Sequence, residues 1–395
     1  MTHWWERADL RYENGRLQLG QQDLQELAEV TGMPTFAYHM PRVTDNLNRL
    51  KAALAARNVP HKVFFALKSN RFLPLVTYLK LQGGCGVDLC SPNELLLARQ
   101  VGFREEEMTY TNTAVSSHDL DILAKHPNVN INCDAVSMIR RLGERCPGRE
   151  IGIRINPEVG VGYNQGMEYA GKKTTKFGIY RAQFAAALAM AKKYDMRVTT
   201  LHFHAGSGYL QPQVGSFANV LAQSNWFLDQ CPDVVNLNIG GGLGLRLVES
   251  DEAINLEAWA DVVAQHAHAR GVTIHLEPGD YLVKDAGVLL LQVNMVERKK
   301  ETLFVGVNGG FNLHVGNAYY QTPYIIAPLI PRGGELHLTT VSGHINEAID
   351  IWDKDIMLPP LAEEDYLALL NVGGYGSSMS SNHCMRGEFS EYLIL

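Results

Sequence analysis

Short β-type runs alternate with longer helical stretches eight times between residue 63 and about residue 280 of this chain. The strand-like runs are, in order, VFFALKSN, GCGVDLC, MTYTN, VNINCD, EIGIRIN, TLHFHAG, VNLNIGG and TIHLEPG. The segments between them, such as SPNELLLARQVG and LEAWADVVAQHAHARG, carry apolar residues at the i, i+3, i+4 spacing of amphipathic helices. Eight strand–helix units predict an α/β fold, a closed parallel (β/α)8 TIM barrel, in preference to an open doubly wound sheet.

The two ends of the chain have a different pattern. After residue 283, strand-like runs such as LLLQVNMVERKKETLFVGV and ELHLTTVSG follow one another without long helices between them. The first residues also contain short strand-like runs, which we expect to join this second region. The sequence therefore predicts a barrel domain over 36–282 and a mostly-β domain made of 1–35 and 283–395.

The bulk composition excludes several classes of protein. With 395 residues, 46% hydrophobic and 19% charged, the chain can form two domains with sizeable cores. The formal net charge is -7 and no long Lys/Arg block exists, so neither nucleic acid nor membrane is an expected partner. The start, MTHWWERADL, has no signal-peptide pattern, which predicts a cytoplasmic location. Six cysteines without CxxC spacing predict reduced, individually buried thiols and no structural metal.

Polar residues and glycines collect at the carboxyl ends of the predicted strands, where a barrel of this kind builds its site. They are Lys68, Asp88, Asn112, Asp134, Arg154, His204, Gly240, Gly241, Gly242 and Glu277. Lys68 alone has two interpretations, a charge where a strand reaches the surface or a nucleophile at the mouth of a site. The presence of the other polar residues at neighbouring strand ends favours the nucleophile, because a lysine desolvated at a barrel mouth can form a Schiff base.

The segment NIGGGLG, residues 238–244, places three glycines between a strand and a helix. It lacks the last glycine of the GxGxxG dinucleotide motif. Besides an ordinary tight turn, it suits a phosphate held by backbone N–H groups. A lysine nucleophile and a phosphate site on one barrel suggest pyridoxal 5'-phosphate. Glu277 would then face the pyridine nitrogen, His204 would stack on the ring and Ser207 would approach the phosphate.

Several motifs occur in a recognisable order, namely FALKSN, GVDLCSPNEL, IRINP, HFHAGSG, LNIGGGLG, LEPG and GGYGSSMSSNH. On these motifs the chain resembles the fold-type III pyridoxal-phosphate decarboxylases, which include diaminopimelate and ornithine decarboxylases. The resemblance implies that Lys68 is the Schiff-base lysine and that Asp88, Arg154 and Tyr375 help to hold the cofactor. It also implies a homodimer in which the segment GHINEAID, residues 343–350, completes the site of the other subunit.

Three positions depart from the pattern that the resemblance implies. The cysteine expected to return a proton to the substrate falls at Asn346. The proton would then come from His344, Lys68, Tyr375 or a water. Arginines expected near the cofactor phosphate or a substrate carboxylate fall at Asp280 and Gly316. The predicted catalytic set is Lys68, His204, Glu277, His344, Asn346 and Glu347.

The missing arginines argue against tight capture of the distal carboxylate of diaminopimelate. The carboxylates of Asp280, Glu347 and Asp350, with Tyr319 as a further substrate contact, instead favour a substrate with a distal amine or a polar N-substituent. Such substrates occur in siderophore and other secondary-metabolite pathways, according to the resemblance. The sequence therefore predicts a pyridoxal-phosphate-dependent amino-acid decarboxylase, a carbon–carbon lyase.

Three alternatives stay open. The first is a diaminopimelate decarboxylase of lysine biosynthesis. The second is an amino-acid racemase that uses Lys68 and a tyrosine as opposed acid and base, against which the GGYGSSMSSN ending and the NEAIDIWD segment argue. The third is a non-catalytic pyridoxal-phosphate-binding protein, against which the C-terminal β domain argues.

Overall fold

The chain begins with a small antiparallel sheet in the computed structural model, which describes residues 3–171 and 173–395. The first elements are β1 (Leu10–Glu13), β2 (Arg16–Leu19), β3 (Gln22–Asp23), helix α1 (Leu24–Thr31) and β4 (Thr35–His39). Helix α1 begins at Asp23, because its carboxylate accepts the backbone N–H groups of Gln25 and Glu26. The helix ends at Gly32, whose φ of 62° suits a residue without a side chain.

Eight parallel strands then form a closed barrel. The strands are β5 (His61–Ala66), β6 (Gly86–Leu89), β7 (Met108–Asn112), β8 (Asn130–Cys133), β9 (Glu150–Arg154), β10 (Arg197–His202), β11 (Asn236–Asn238) and β12 (Thr273–Leu276). The helices around them are α2 (Met40–Ala55), α3 (Leu73–Gln82), α4 (Pro92–Val101), α5 (Ser117–Leu123), α6 (Val136–Gly143), α7 (Arg181–Lys193), α8 (Val214–Leu228) and α9 (Leu256–Arg270). The predicted (β/α)8 barrel is therefore confirmed.

The pairing register explains why the polar residues gather at one end of the barrel. Parallel pairing aligns Asp88 with Ala66 on β6 and β5, and Arg154 with His202 on β9 and β10. Because all eight strands run in the same direction, the residues that follow them lie at the same rim. The helices cover the outside with one apolar face each. In α6, for example, Met138, Ile139 and Leu142 are buried.

The C-terminal region is mostly β-structure, as predicted. Its elements are α10 (Asp280–Val283), β13 (Gly287–Lys299), β14 (Thr302–Val307), α11 (Gly316–Tyr320), β15 (Ile325–Pro328), β16 (His337–Ser342), β17 (Ile351–Leu358), β18 (Tyr366–Leu370) and β19 (Ser390–Ile394). The sheet order is β15-β18-β13-β14-β16-β17, and β4 pairs with both β13 and β19.

The pairing of β4 bears on the domain boundary. This strand, Thr35–His39, falls almost wholly in the predicted barrel domain, yet it is hydrogen-bonded inside the C-terminal sheet. The division into 36–282 and 1–35 plus 283–395 stays a prediction, and the pairing favours a barrel domain that starts after β4. The small N-terminal sheet also contacts the β domain, since the Leu17 N–H donates to the carbonyl of Leu329 at 2.8 Å and both side chains share one buried cluster.

The cysteines and the helices test two further expectations. All six cysteines are free; Cys133 and Cys231 are buried, whereas Cys384 is exposed. The expectation of individually buried thiols is therefore met by Cys133 and Cys231, whereas Cys85, Cys90 and Cys146 are half-buried. It is wrong for Cys384, which lies in a surface turn near the C-terminus. Within residues 3–171 and 173–395, no helix has the length and apolar character needed to cross a membrane.

Candidate active site

A cavity of about 290 Å³ lies at the carboxyl ends of the barrel strands, with the β domain on its other side. Its barrel wall includes Lys68, Cys90, Thr111, Asn112, Arg154, His202, His204, Ser207, Gly241, Gly242 and Glu277. Its β-domain wall includes His314, Val315, Gly316, Tyr320, Thr322, Gly374, Tyr375 and Met379. A volume of this order, with a few convergent polar groups, is typical of a small-molecule site.

Lys68 follows β5 in a short 3-10 turn, Leu67–Ser69, and its side chain lines the cavity. Its Nζ donates to Oδ2 of Asp88 at 2.9 Å and lies 3.5 Å from Sγ of Cys90. The Lys68 side chain is 43% exposed to the cavity, while that of Asp88 is fully buried. Enclosure by the cavity walls lowers the pKa of Lys68, but the nearby Asp88 outweighs it and the pKa lies well above its usual value. Asp88 therefore orients a charged amine.

Glu277, just after β12, is held by two buried partners. His202 Nε2 lies 2.9 Å from its Oε2, and Asn238 Nδ2 donates to its Oε1 at 2.6 Å. Burial raises the pKa of Glu277, but His202, Lys68 and Asn238 outweigh that effect and lower the pKa to about 2. Glu277 is therefore an ionised carboxylate that faces the cavity.

The glycine segment after β11 packs against the neighbouring strand ends too closely for side chains. Gly240 and Gly242 have φ angles of 68° and 106°. A Cβ on Gly240 would lie 2.7 Å from the carbonyl oxygen of Phe203, and one on Gly242 would overlap the carbonyl oxygen of Gly206. Bare backbone therefore forms this part of the rim, which is what close approach to a phosphate requires.

Aromatic and cationic side chains form the next part of the wall. The His204 ring lies 4.9 Å from the ring of Tyr169. Burial, with Lys68 and Arg154 nearby, lowers the pKa of His204 to about 3, so the imidazole is neutral. Arg154 lies 3.5 Å from Oδ2 of Asp134 and stacks over the ring of Phe177 at 4.5 Å. This wall offers flat surfaces to a planar ligand.

The family model described as "Pyridoxal-dependent decarboxylase, pyridoxal binding domain" matches residues 41–284. The chain belongs to this family of decarboxylases. It is 30% identical to a protein named diaminopimelate decarboxylase from Methanothermobacter thermautotrophicus, over 97% of this chain and 91% of that protein. It is 26% identical to the protein of the same name from Escherichia coli strain K12, over 94% and 91%.

Solved structures give the same result for the fold. The crystal structure of AQ1208 from Aquifex aeolicus has a TM-score of 0.85 and 25% identity, with 98% of this chain and 92% of that chain covered. A diaminopimelate decarboxylase from M. jannaschii in co-complex with L-lysine has a TM-score of 0.89 over 98% and 92%, at 24% identity. Our protein is thus a fold-type III decarboxylase, a carbon–carbon lyase whose cofactor is pyridoxal phosphate.

The decarboxylase cavity fits this cofactor in two respects that do not depend on the comparisons. The glycine rim has no room for side chains beside Ser207, so backbone and hydroxyl groups can approach a phosphate. Within the described residues, Oδ1 of the buried Asp88 and Nδ1 of the buried His202 have no hydrogen-bond partner. Polar atoms left in this way beside a cavity are what a bound polar ligand would satisfy.

Asp280 lies in the cavity wall of the decarboxylase, but not as the free negative charge that the sequence suggested. Its Oδ2 accepts a hydrogen bond from Nζ of Lys284 at 3.1 Å, one helical turn later. Lys284 also lines the cavity. The two opposite charges offset each other, which removes much of the argument for a cationic substrate group.

Tyr375 lines the cavity as predicted, but five other predicted β-domain residues do not line the cavity of their own subunit, namely Tyr319, His344, Asn346, Glu347 and Asp350. Asp350 is buried, and its carboxylate accepts the backbone N–H groups of Phe311 and Ile345 at 2.7 and 2.5 Å. These bonds use Asp350 to shape the loop, so its proposed contact with substrate loses support. The four others lie at the surface or near it: His344 contacts Arg386, Glu347 contacts His383, Asn346 is exposed, and Tyr319 is 62% exposed.

Several cavity residues of the decarboxylase escaped the sequence reasoning. Cys90 ends the GVDLC run directly beside Lys68, and this position was a usable signal. Lys284 stands four residues after Asp280, a helical spacing that could have suggested the ion pair. His314 and Thr322 flank the aligned position Gly316 but drew no prediction themselves, and only the packing of the β domain on the barrel brings them to the cavity.

Proposed function

We propose that this decarboxylase removes the α-carboxylate of an amino acid bound beside Lys68. The observation that carries the proposal is that two residues of one cavity each have a buried hydrogen-bond partner: Asp88 contacts Lys68, and His202 contacts Glu277. One partner orients an amine that can bind the cofactor covalently, and the other keeps a carboxylate ionised for a pyridinium nitrogen.

Each residue would have a defined task. Bound pyridoxal phosphate supplies an electron sink for the electrons of the Cα–carboxylate bond. Lys68 would hold the cofactor and then carry a proton as its free amine, and Ser207 with the glycine rim would bind the phosphate. Burial raises the pKa of Cys90 to about 12, so its thiol stays protonated beside Lys68. Burial also raises the pKa of Tyr375, so Lys68, Cys90 and Tyr375 are protonated groups in the cavity wall that can return a proton to the substrate.

Diaminopimelate is the first candidate substrate, and its decarboxylation forms lysine. The support comes from the relatives, which carry this name at 26–30% identity over more than nine-tenths of both chains. The balanced charges of Asp280 and Lys284 are compatible with a distal group that is itself a zwitterion.

The second candidate is an amino acid with a bulky polar N-substituent, as in siderophore or other secondary-metabolite pathways. The specific observation is the glycine at position 316, where the resemblance places an arginine. A Cβ there would lie 2.7 Å from the Tyr324 hydroxyl and 2.9 Å from Oγ1 of Thr322, so no longer side chain fits without a rearranged loop. The wall of the cavity at Gly316 therefore has no arginine side chain to pair with the distal carboxylate of diaminopimelate.

We also propose the homodimer with shared sites. It is supported by the exposure of Asn346 and Glu347, away from the cavity of their own subunit. Leu338 on β16 and Met357 on β17 face each other in register, and both are more than half exposed. An exposed apolar pair on a sheet is typical of a protein interface.

The experiment for the dimer is complementation. Light scattering should give twice the chain mass. The Lys68→Ala and Glu347→Ala proteins should each be inactive alone. After mixing they should recover up to about a quarter of wild-type activity, because about half of the dimers are then mixed and each mixed dimer has one intact site. A monomer, or mixtures that remain inactive, would contradict the shared site.

The experiment for the activity is carbon dioxide release from meso-diaminopimelate, ornithine, lysine and N-substituted diaminopropionates. Lys68→Ala should abolish release, whereas Lys62→Ala, an exposed lysine on the same strand, should not. Exchange of the Cα proton for solvent deuterium without carbon dioxide would indicate a racemase. Cofactor binding without either reaction would indicate a binding protein.

A further inference from the structure

We propose that Lys284, His314 and Thr322 form a subsite for the distal end of the substrate, selective for a carboxylate that carries an amino or hydroxyl group on the adjacent carbon. This inference rests on the proposed decarboxylation, and it assigns the part of the substrate that does not react. The three side chains come from the start of the β domain and from the loop around α11, and all three line the cavity.

The side chains of His314 and Thr322 lie close together around Gly316. The position that a Cβ on Gly316 would occupy is 2.9 Å from Oγ1 of Thr322 and 3.0 Å from Cε1 of His314. The same three side chains, Lys284, His314 and Thr322, also line a second small pocket behind this wall. They are therefore one cluster, and it stands on the β-domain wall rather than among the glycines of the barrel rim.

His314 supplies a neutral donor. Its side chain is buried, and its Nδ1 accepts the backbone N–H of Gly316 at 3.2 Å. The Tyr324 hydroxyl, 2.6 Å from Nδ1, can donate to the same atom, which places the ring proton on Nε2. Nε2 has no partner at hydrogen-bond distance among the described residues, and the Gly374 backbone is its polar neighbour. Burial lowers the pKa of His314 to about 3, so the ring stays neutral at ordinary pH. An unpaired buried N–H beside a cavity is suited to an acceptor on a ligand.

Lys284 supplies the charge. Its side chain is only 14% exposed, and Asp280 Oδ2 takes one of its three N–H donors at 3.1 Å. The other two donors have no acceptor in the described part of the chain. The ion pair keeps Lys284 from turning away, so its remaining N–H groups and the His314 Nε2–H can bind the oxygens of one carboxylate.

Asp280 decides which carboxylate fits. Its Oδ1 is buried, and no described residue donates to it. An oxyanion alone, such as a phosphate, would face this free acceptor and be repelled. A carboxylate with an adjacent ammonium or hydroxyl group donates to Oδ1 while it accepts from Lys284 and His314. This pattern fits the distal end of diaminopimelate and equally an α-hydroxy acid carried as an N-substituent.

The test measures binding to the holoenzyme by calorimetry, with 2-hydroxyglutarate as the probe and glutarate, which lacks the hydroxyl group, as its matched control ligand. The wild type should bind 2-hydroxyglutarate more tightly than glutarate. Lys284→Met should raise the Kd of 2-hydroxyglutarate roughly 10- to 100-fold, because one charge-assisted contact is lost. His314→Phe should raise it roughly 5-fold, and Lys284→Arg should preserve most of the affinity.

The controls separate this subsite from cofactor binding and from the activity. Lys80→Met removes a partly buried lysine that pairs with Glu107 away from the cavity, and it should leave every Kd unchanged. The Kd of pyridoxal phosphate, measured by absorbance titration of cofactor-free protein, should also stay unchanged in Lys284→Met. Three results would overturn the subsite. They are equal Kd values for 2-hydroxyglutarate and glutarate in the wild type, an unchanged Kd of 2-hydroxyglutarate in Lys284→Met, and a higher Kd of pyridoxal phosphate in Lys284→Met. Lack of carbon dioxide release with every substrate would refute the proposed function and leave this binding result intact.

Discussion

Replacement of Glu277 by glutamine gives the sharpest test of how the cavity holds its charges. In the folded protein the pKa of this carboxyl group falls from 4.5 to about 2, because the stabilising effect of His202 and Asn238 exceeds the cost of burial. One pKa unit corresponds to about 1.4 kcal/mol, so the fold favours the ionised form by about 3 kcal/mol. A neutral glutamine loses this contribution, and Glu277→Gln should be less stable by about 3 kcal/mol at pH 7.

The pH dependence follows from the direction of the pKa change. A carboxyl group with a lowered pKa stabilises the fold above its unfolded pKa, and this stabilisation disappears as the pH falls towards the folded pKa. The difference between wild type and Glu277→Gln should therefore be complete above pH 4.5 and decline towards pH 2. About half of it should remain near pH 3.

The assay is thermal unfolding of the cofactor-free protein. For a chain of 395 residues, 3 kcal/mol corresponds to a decrease in Tm of about 4 °C if unfolding is cooperative. Glu335→Gln, at an exposed position, serves as the control and should change Tm by well under 1 °C. An equal Tm for wild type and Glu277→Gln at pH 7, or a difference that does not shrink in acid, would refute the reasoning.

Three other measurements test the fold and the cavity. Gly242→Ala should weaken binding of pyridoxal phosphate at least about 10-fold in an absorbance titration, because the φ of 106° and the overlap with a carbonyl oxygen force the glycine rim to move. Unchanged binding would argue against a phosphate site at this rim. Iodoacetamide at pH 8 should modify the exposed Cys384 before Cys90, because a Cys90 pKa of about 12 leaves almost no thiolate at that pH. Mass spectrometry measures the order of modification, and early loss of the Cys90 thiol would contradict that pKa. Asp285→Ala should cost about 1–3 kcal/mol in urea unfolding, because Arg42 loses the carboxylate 2.6 Å from its Nη2 and keeps only Asp45 at 3.3 Å. A loss below about 0.5 kcal/mol would mean that solvent already screens the pair.

The barrel and the barrel half of the site were predictable from local pattern. Strand runs and helical spacing are properties of neighbouring residues, and the common direction of the strands places Lys68, His204 and Glu277 at one rim without further information. The three glycines at 240–242 were visible as a run in the sequence, but the contacts that exclude a Cβ at 240 and 242 come from Phe203 and Gly206 on the neighbouring strand end.

The β-domain side was not predictable in the same way, because it depends on contacts between distant segments. The sequence predicted Asp280 as an unpaired negative charge, whereas in the fold it pairs with the amine of Lys284. Asp350 counted as a substrate contact, whereas its carboxylate accepts two backbone N–H groups within its own loop. The strand β4 follows the N-terminal sheet in the chain but pairs with strands some 250 to 350 residues later, β13 and β19.

A residue type and its neighbours in the chain tell which charges and donors a protein possesses. Whether a charge remains free depends on which partner the fold brings within about 3 Å, and that partner can come from any part of the chain. For this decarboxylase, the reacting end of the cavity follows from strand order and residue type. The end that we propose to select the substrate follows from how His314 and Thr322 are packed against the barrel, because their positions depend on the docking of two domains.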